Sequence, residues 1–351
     1  MDLSSNEGSP SLDHPAIQLA ARKLERGELV AFPSETVYGL GADAENPAAV
    51  ARIYSAKGRP SNHPVIVHIA PEADLTYWAH AIPSQAYQLI AAFWPGPLTL
   101  ILQRAAHISS ALSGGQNSIG IRCPSHPVAQ ALLREFKGGK GGVAGPSANK
   151  FGHVSPTTAQ HVRDEFGDGP QSPVGYVLDG GQSEVGIEST IIDLSRFATH
   201  GAVLLRPGDI SAAEIAAVLG VAIQAPDTAA PRASGTLAAH YAPRTPVLQI
   251  EPAHCRIALS RLHQAGQRLA LISYSPAMEQ FVPLVAHCSM PDAPHGYAHN
   301  LYAALRDLDH VNADIIVVEM PPQDIAWQGI NDRLRRAAHV STTLFADILR
   351  F

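Results

Sequence analysis

The chain has 351 residues, 46% of them hydrophobic and 16% charged, and a formal net charge of −6. That length suggests two domains, and that composition supplies real cores while excluding a disordered or coiled-coil chain. A protein that lives on nucleic-acid phosphates would show a basic stripe; long Lys/Arg runs are missing here, so any basic patch is local to a cleft.

The first dozen residues read as a loose tail, placing a flexible segment at 1–13. Asp13-His14-Pro15 then opens a helix whose apolar face (Ile17, Leu19, Ala20, Ala21, Leu24) runs to Gly27. Residues 29–32 predict a short buried strand stopped by Pro33. The run Pro33–Gly41 reads as a glycine-rich turn carrying hydroxyls at Ser34, Thr36 and Tyr38. Asn46-Pro47 caps a second helix reaching Lys57. Strands are expected at 64–69, 98–102 and 118–122, with a helix at 85–93 broken by Trp94-Pro95-Gly96-Pro97 and another opening at His126-Pro127. A strand at 142–145 leads into the turn Pro146-Ser147-Ala148-Asn149. Ser155-Pro156 is expected to start a helix, with Ser155 as its cap. Strands follow at 176–179, 189–193 and 202–206, and Ser211 caps an Ala-rich helix ending at Gly220.

Between 223 and 246, Pro226, Pro231, Pro243 and Pro246 break all periodicity. A linker this long is seldom passive. Beyond it, strands near 247–250, 268–273 and 314–319 with a helix at 297–308 read as a small doubly wound domain. The expected division is 14–222, linker 223–246, and 247–351.

Two signatures stand out chemically. Lys57-Gly58-Arg59 offers a point charge and a rigid fork on one loop, and the glycine permits close approach by a phosphate. Ser147-Ala148-Asn149 offers a hydroxyl and an amide just past a buried strand, where phosphate or ribose can bind. Taken singly each is equally an ordinary turn. His68 inside an apolar strand reads as a core residue, and Arg122 at a strand end reads equally as a carboxylate fork or a salt bridge. There is no G-x-S-x-G, H-E-x-x-H, phosphate-loop or G-x-G-x-x-G motif, and His295 and His299 read as a helix surface. Cys123, Cys255 and Cys288 form no CxxC pair and are expected as free thiols. The polar, acidic N-terminus and the lack of an ~18-residue apolar stretch make the cytoplasm the expected location.

Jointly these elements resemble a known pattern. ELVAFPSETVYGLGADA at 28–44, KGRPSNHPVIVHI at 57–69, FWPGPLTLIL at 93–102, SIGIRCPSHP at 118–127, GPSANKFGHVSPTTA at 145–159, ESTIID at 188–193 and LLRPG at 204–208 are similar to the YrdC/Sua5 family. SGTLAAHYAPRTP at 234–246 resembles the linker of the long, two-domain Sua5 form. The resemblance implies an α/β fold: a YrdC-like twisted open sheet with helices, plus a smaller Rossmann-like C-terminal domain. It implies a nucleotidyltransferase that makes threonylcarbamoyl-adenylate and pyrophosphate from L-threonine, bicarbonate or CO2 and ATP. Mg2+ rides on the ATP phosphates rather than in a protein metal site. The product feeds t6A modification of tRNA through a downstream transfer machinery.

Residue by residue, the resemblance places Thr36, His68, Arg122, Ser189 and Thr190 around threonine. Lys57, Arg59, Asn62, Ser118, Ser147, Asn149 and Arg206 fall to ATP, with Lys57 and Arg59 also catalytic. His240 and Tyr241 are expected to fold back over the cleft with the linker. The run before them, Ser234–Ala239, departs from the Pro-Gly-Met-type run of some relatives. The rival reading is an RNA-binding module of the YrdC type without synthase activity, against which the net acidity counts.

Overall fold

The computed structural model describes residues 13–341. The expected tail, apart from Asp13, and the last ten residues of the C-terminal region lie outside them. The first helix is α1 (His14–Glu25), capped by the Asp13 carboxylate on the Ala16 amide. The next, α2 (Pro47–Lys57), is capped by Asn46 and ends at Gly58 with φ +60, a left-handed stop that glycine adopts without a Cβ penalty. That stop turns the chain so that both Lys57 and Arg59 point into the protein, where they are 3% and 8% exposed.

The larger sheet is built from β1 (Val30–Phe32), β2 (Gly39–Asp43), β3 (Ile66–Ile69), β4 (Ala79–His80), β5 (Leu98–Arg104), β6 (Ser118–Arg122), β7 (Gly142–Ala144), β8 (Tyr176–Val177), β9 (Thr190–Asp193) and β10 (Val203–Arg206). Its order is β10-β9-β5-β6-β3-β7-β2-β1-β8, with β4 pairing on β5. It is mixed: β3–β6, β5–β9 and β1–β8 are parallel and the remaining pairs antiparallel. Helices α3 (Leu75–Trp78), α4 (Ser84–Phe93), α5 (Pro127–Glu135), α6 (Ala159–Phe166), α7 (Phe197–His200) and α8 (Ala212–Leu219) complete this part. A second sheet holds β11 (Val247–Ile250), β12 (Leu269–Ser273), β13 (Ala286–Ser289) and β14 (Ile315–Glu319) in the order β11-β14-β12-β13. All its pairs are parallel, as the doubly wound expectation requires. Helices α9 (Pro252–Gln264), α10 (Pro294–Asp309) and α11 (Gln328–Ala337) accompany it.

Two local expectations change. The last three residues of Pro33–Gly41 belong to strand β2, buried at every residue, because small Gly39 and Gly41 let Phe32 and Val143 pack against the backbone. The helix expected at Ser155 begins at Ala159, capped by Thr158 on the His161 amide. The Pro156 carbonyl instead accepts from the Tyr38 amide, which holds residues 155–157 in an extended path.

Val37, Val154, Val185 and Ile187 from the first part pack in one core cluster with Tyr297, Leu301, Tyr302, Leu305, Trp327, Ile330 and Leu334 from the second. Linker residue Tyr241 sits in the same cluster, 5.7 Å from the Tyr302 ring and stacked on it. At ~1.5–3 kcal/mol per buried large apolar side chain, this contact is a true core rather than a loose hinge.

Candidate active site

The cavity lies where β1, β3 and β6 end, against the loops that follow β7 and precede β9. The chain enters it at Pro33. The Ser34 hydroxyl accepts from the amides of Thr36 and Val37 and donates to the Val37 carbonyl, fixing a tight turn. This turn aims the Thr36 hydroxyl at Arg122, whose Nη1 donates to it at 2.8 Å. Arg122 closes β6. Its Nε donates to the Gly96 carbonyl, and its Nη2 lies 2.7 Å from the Glu35 carboxylate, off the hydrogen-bonding direction. Glu35 and Arg122 are both almost fully buried, so losing either partner strands the other's charge.

Residues 146–148 lie beside Tyr38–Leu40: the Leu40 amide donates to the Pro146 carbonyl and the Ala148 amide to the Tyr38 carbonyl. That pairing carries the Ser147–Asn149 turn over the end of α2. Lys57 Nζ then donates to the carbonyls of Ser147, at 2.5 Å, and Asn149. Burial and the nearby Arg59 guanidinium hold the Lys57 amine well below its ordinary pKa. Asn149 gives its amide N–H groups to the carbonyls of Lys150 and His153, leaving its buried side-chain oxygen without a protein partner.

Arg59 donates to the Pro64 carbonyl at 2.7 Å and the Ser234 hydroxyl at 3.3 Å, while its Nε has no protein partner. Burial pulls its pKa down to about 10. Arg206 ends β10 and forks onto the Ser189 carbonyl at 3.1 and 2.8 Å, its third nitrogen reaching the Ser234 carbonyl at 2.9 Å. The Ser189 hydroxyl pairs with that of Thr99 at 2.8 Å.

His68 on β3 and His240 of the linker are both buried with an unpartnered Nδ1. Burial, reinforced by neighbouring cations, lowers each to about 3, so both rings are neutral hydrogen-bonding groups near pH 7. His68 meets the edge of Phe32, and His240 packs between Phe151 and Tyr241.

The wall thus brings Thr36, Lys57, Arg59, His68, Arg122, Ser147, Asn149, Ser189, Arg206, His240 and Tyr241 together. Lys57, Arg59, Arg122 and Arg206 are its cations, and Glu188 is the carboxylate among the described lining residues. This charge set suits a ligand with several anionic groups.

Three expected residues lie off the wall. Thr190 is adjacent in sequence to Ser189, but side chains alternate along a strand, and its hydroxyl donates to the Ile210 carbonyl on the other face at 2.6 Å. Asn62 is exposed, its backbone packed against Gly114. Ser118 starts β6 and Arg122 ends it, so the two stand at opposite ends of that strand. The linker runs along the same edge: the Arg232 amide donates to the Gln116 side chain and its guanidinium to the Gly114 carbonyl.

Sequence reasoning passed over Glu35, Phe151, Glu188, Ser234 and Gly235. Glu35 and Glu188 carried a legible signal, since each is a carboxylate beside a buried strand with no charged neighbour in sequence. Ser234 and Gly235 occupy the run that departs from some relatives, yet they still reach Arg59, Arg206 and Tyr241.

The free volume inside is about 40 Å3, room for a few waters and far below the ~300 Å3 at which small-molecule sites begin. His295 and His299 sit on α10 at the seam between the two parts; His299 Nδ1 lies 2.8 Å from the Glu184 carbonyl. The three thiols are unpaired, and burial raises those of Cys123 and Cys255 to about 12. Among the described residues no helix is long and apolar enough to cross a membrane.

Comparison with known proteins gives the same picture. A family model described as telomere recombination (Sua5/YciO/YrdC) matches residues 22–208, and one described as threonylcarbamoyl-AMP synthase, C-terminal domain, matches 210–339. The chain is 36% identical over 338 residues to a threonylcarbamoyl-AMP synthase of Pyrococcus abyssi, covering 92% of this chain and 94% of that one. It is 37% identical over 336 residues to the Bacillus subtilis protein of the same name, covering 93% and 94%. A crystal structure of P. abyssi Sua5 complexed with L-threonine superposes with a TM-score of 0.81 at 34% identity, covering 92% of this chain and 94% of that one.

Proposed function

The chain belongs to the Sua5/YrdC family, and from that premise we propose that it is a threonylcarbamoyl-AMP synthase acting on L-threonine, bicarbonate or CO2, and ATP. The threonine amine adds to CO2, losing a proton, to give a carbamate. A carbamate oxygen attacks the α-phosphorus, the α–β phosphoanhydride bond breaks, and pyrophosphate leaves. Neither step needs a covalent enzyme intermediate, so positioning and charge neutralisation carry the catalysis. The observation that carries this reading is the convergence of Lys57, Arg59, Arg122 and Arg206 on one cavity, with an unpartnered Asn149 oxygen and two neutral histidines between them.

In this reading Thr36, His68, Arg122 and Ser189 take threonine, with Arg122 as the fork for its carboxylate. Lys57 and Arg59 take the phosphates, and Ser147, Asn149, Arg206 and the His240-Tyr241 pair hold the nucleotide. That threonine is a substrate is supported by the L-threonine complex of P. abyssi Sua5. Mg2+ enters on the ATP phosphates as part of the substrate. Glu188 is a poor metal ligand, because its carboxylate already accepts from Ser155, Tyr302 and Arg333.

A nucleotide needs more room than the cavity offers, so the linker stretch 232–235 moves to admit it while Tyr241 stays in the shared core. The motion releases Ser234 from Arg59 and Arg206, and releases Arg232 from Gly114 and Gln116. Closure then excludes water from the carbamate. We take 14–222 as the catalytic unit and 247–351 as the C-terminal unit, the boundaries falling where the large sheet's last helix ends and the second sheet begins. The product is a reactive mixed anhydride that a tRNA-modifying transfer step must consume, with the cytoplasm as the proposed site.

The test is threonine- and bicarbonate-dependent pyrophosphate release from Mg·ATP by the full chain, with Lys57→Met as the variant. Release by the wild type and a loss of about a hundredfold or more in Lys57→Met are expected, the scale of removing a buried transition-state cation. A wild type without threonine dependence, or a Lys57→Met chain of wild-type rate, refutes the reading. The acidic net charge and the enclosed site give the RNA-binding alternative no support.

A further inference from the structure

The C-terminal unit carries no chemical motif of its own, yet two of its side chains end at the cavity wall. Glu188 lines the cavity and sits two residues before β9. Its carboxylate accepts from the Tyr302 hydroxyl of α10 at 2.8 Å and from Arg333 Nε of α11 at 2.9 Å, besides the Ser155 hydroxyl at 2.6 Å. Arg333 is fully buried and reaches further. Its Nη2 donates to the Glu188 carbonyl at 3.0 Å, and its Nη1 donates to the Pro207 carbonyl at 2.6 Å. One planar guanidinium thereby ties the start of β9 to the end of β10, the two points from which Ser189 and Arg206 project into the site. Three residues along α11, Arg336 holds the linker by donating to the Leu237 carbonyl, and its own carbonyl accepts from the His240 amide.

We propose that Arg333 and Tyr302 are positioning residues of the active site, fixing Glu188 and with it the Ser189–Arg206 wall, so that the C-terminal unit is built into the catalytic site. This rests on the synthase reading above. A buried ion pair is a weak way to hold two domains together, since apolar side chains of similar volume do so at no loss. The apolar cluster around Tyr297, Leu301 and Leu334 already does that here. What the pair adds is a fixed orientation, and it adds it at the wall. The groups that face Glu188 are Lys57 of α2, Ser155, Arg206 of β10, His240 and Tyr241 of the linker, Tyr302 of α10 and Arg333 of α11. Burial opposes its charge, and Arg333, then Arg206, outweigh burial to hold the carboxyl at about 2. Loss of Arg333 therefore raises it.

The experiment measures pyrophosphate release by the full chain between pH 5.5 and 9, with thermal melts to establish folding. Tyr302→Phe is expected to lower kcat/KM for ATP about tenfold and Arg333→Met about a hundredfold, the range for hydrogen bonds to a buried charge. Arg333→Lys keeps the charge but not the fork, and it recovers part of the loss. In Arg333→Met the acid limb of kcat moves to higher pH, and it returns to its place when Glu188→Gln is added. Folded variants with kcat/KM within twofold of wild type, or an acid limb that does not move, overturn the proposal. Should Arg333→Met fail to fold, Tyr302→Phe decides alone: an unchanged kcat/KM overturns the proposal, and a tenfold loss supports it. A wild-type chain that releases no pyrophosphate overturns the synthase reading itself, an outcome distinct from an active wild type with unaffected variants.

Discussion

Replacing Gly235 with alanine places a methyl group on the hydroxyl of Tyr241 and 2.9 Å from Arg206 Nη1, at a position whose φ is +74. The left-handed backbone alone costs a non-glycine residue ~1–2 kcal/mol. The collision adds to it, because Tyr241 is locked in the interdomain core and cannot swing aside. The cheapest relief is to lift Ser234-Gly235 out of the cavity, giving up the Arg206–Ser234 and Tyr241–Gly235 hydrogen bonds. A net bias of ~2–3 kcal/mol toward the lifted linker corresponds to about a 30- to 150-fold rise in its population. Limited trypsin digestion reads that population, since Arg232 is held by Gln116 and Gly114 only while the linker is closed, and cleavage tracks the open form. Faster nicking after Arg232 is expected, with saturating ATP slowing it. Gly266→Ala is the control: its φ is +80 with no atom near the added methyl, so it carries backbone strain without the collision. Wild-type nicking in Gly235→Ala, or equal acceleration in Gly266→Ala, would refute the reasoning.

Arg122→Gln is expected to raise the threonine KM and to destabilise the fold by ~3–5 kcal/mol in urea, because it strands the buried Glu35 carboxylate. Adding Glu35→Gln recovers stability but not threonine affinity; recovery of both would end the carboxylate-fork role of Arg122. Thr190→Val costs ~1 kcal/mol through the lost Ile210 hydrogen bond and leaves the threonine KM unchanged, so a raised KM would return Thr190 to the site. Burial holds His240 down to about 3 against an ordinary 6.5, so its neutral form stabilises the fold above pH 6.5 and that stability is lost as pH falls toward 3. Between pH 7 and pH 5 the loss is ~2 kcal/mol. Denaturation of His240→Gln at the two values is expected to show a correspondingly shallower decline, and a decline as steep as wild type would show that His240 is protonated in the folded state.

The sequence by itself determined a good deal. Caps such as Asn46-Pro47 and Ser211 are local chemistry, and the helices they predict are present. The strands expected at 64–69, 98–102 and 314–319 are present as β3, β5 and β14, because short apolar runs of this kind suit a sheet interior. The family resemblance, carried over residue by residue, named most of the residues that line the cavity, from Thr36 through Arg206. What local chemistry does not carry is which side of an element a residue faces and what arrives from far along the chain. Ser189 and Thr190 are neighbours in sequence, and only the pairing of β9 with β5 and β10 decided that the first faces the cavity and the second the Ile210 carbonyl. Ser155 looked like a helix cap and became a buried donor to Glu188, because Tyr38 captured the backbone beside it. Arg333 meets Glu188 across 145 residues of chain, a contact that exists only because two separate sheets share one apolar core.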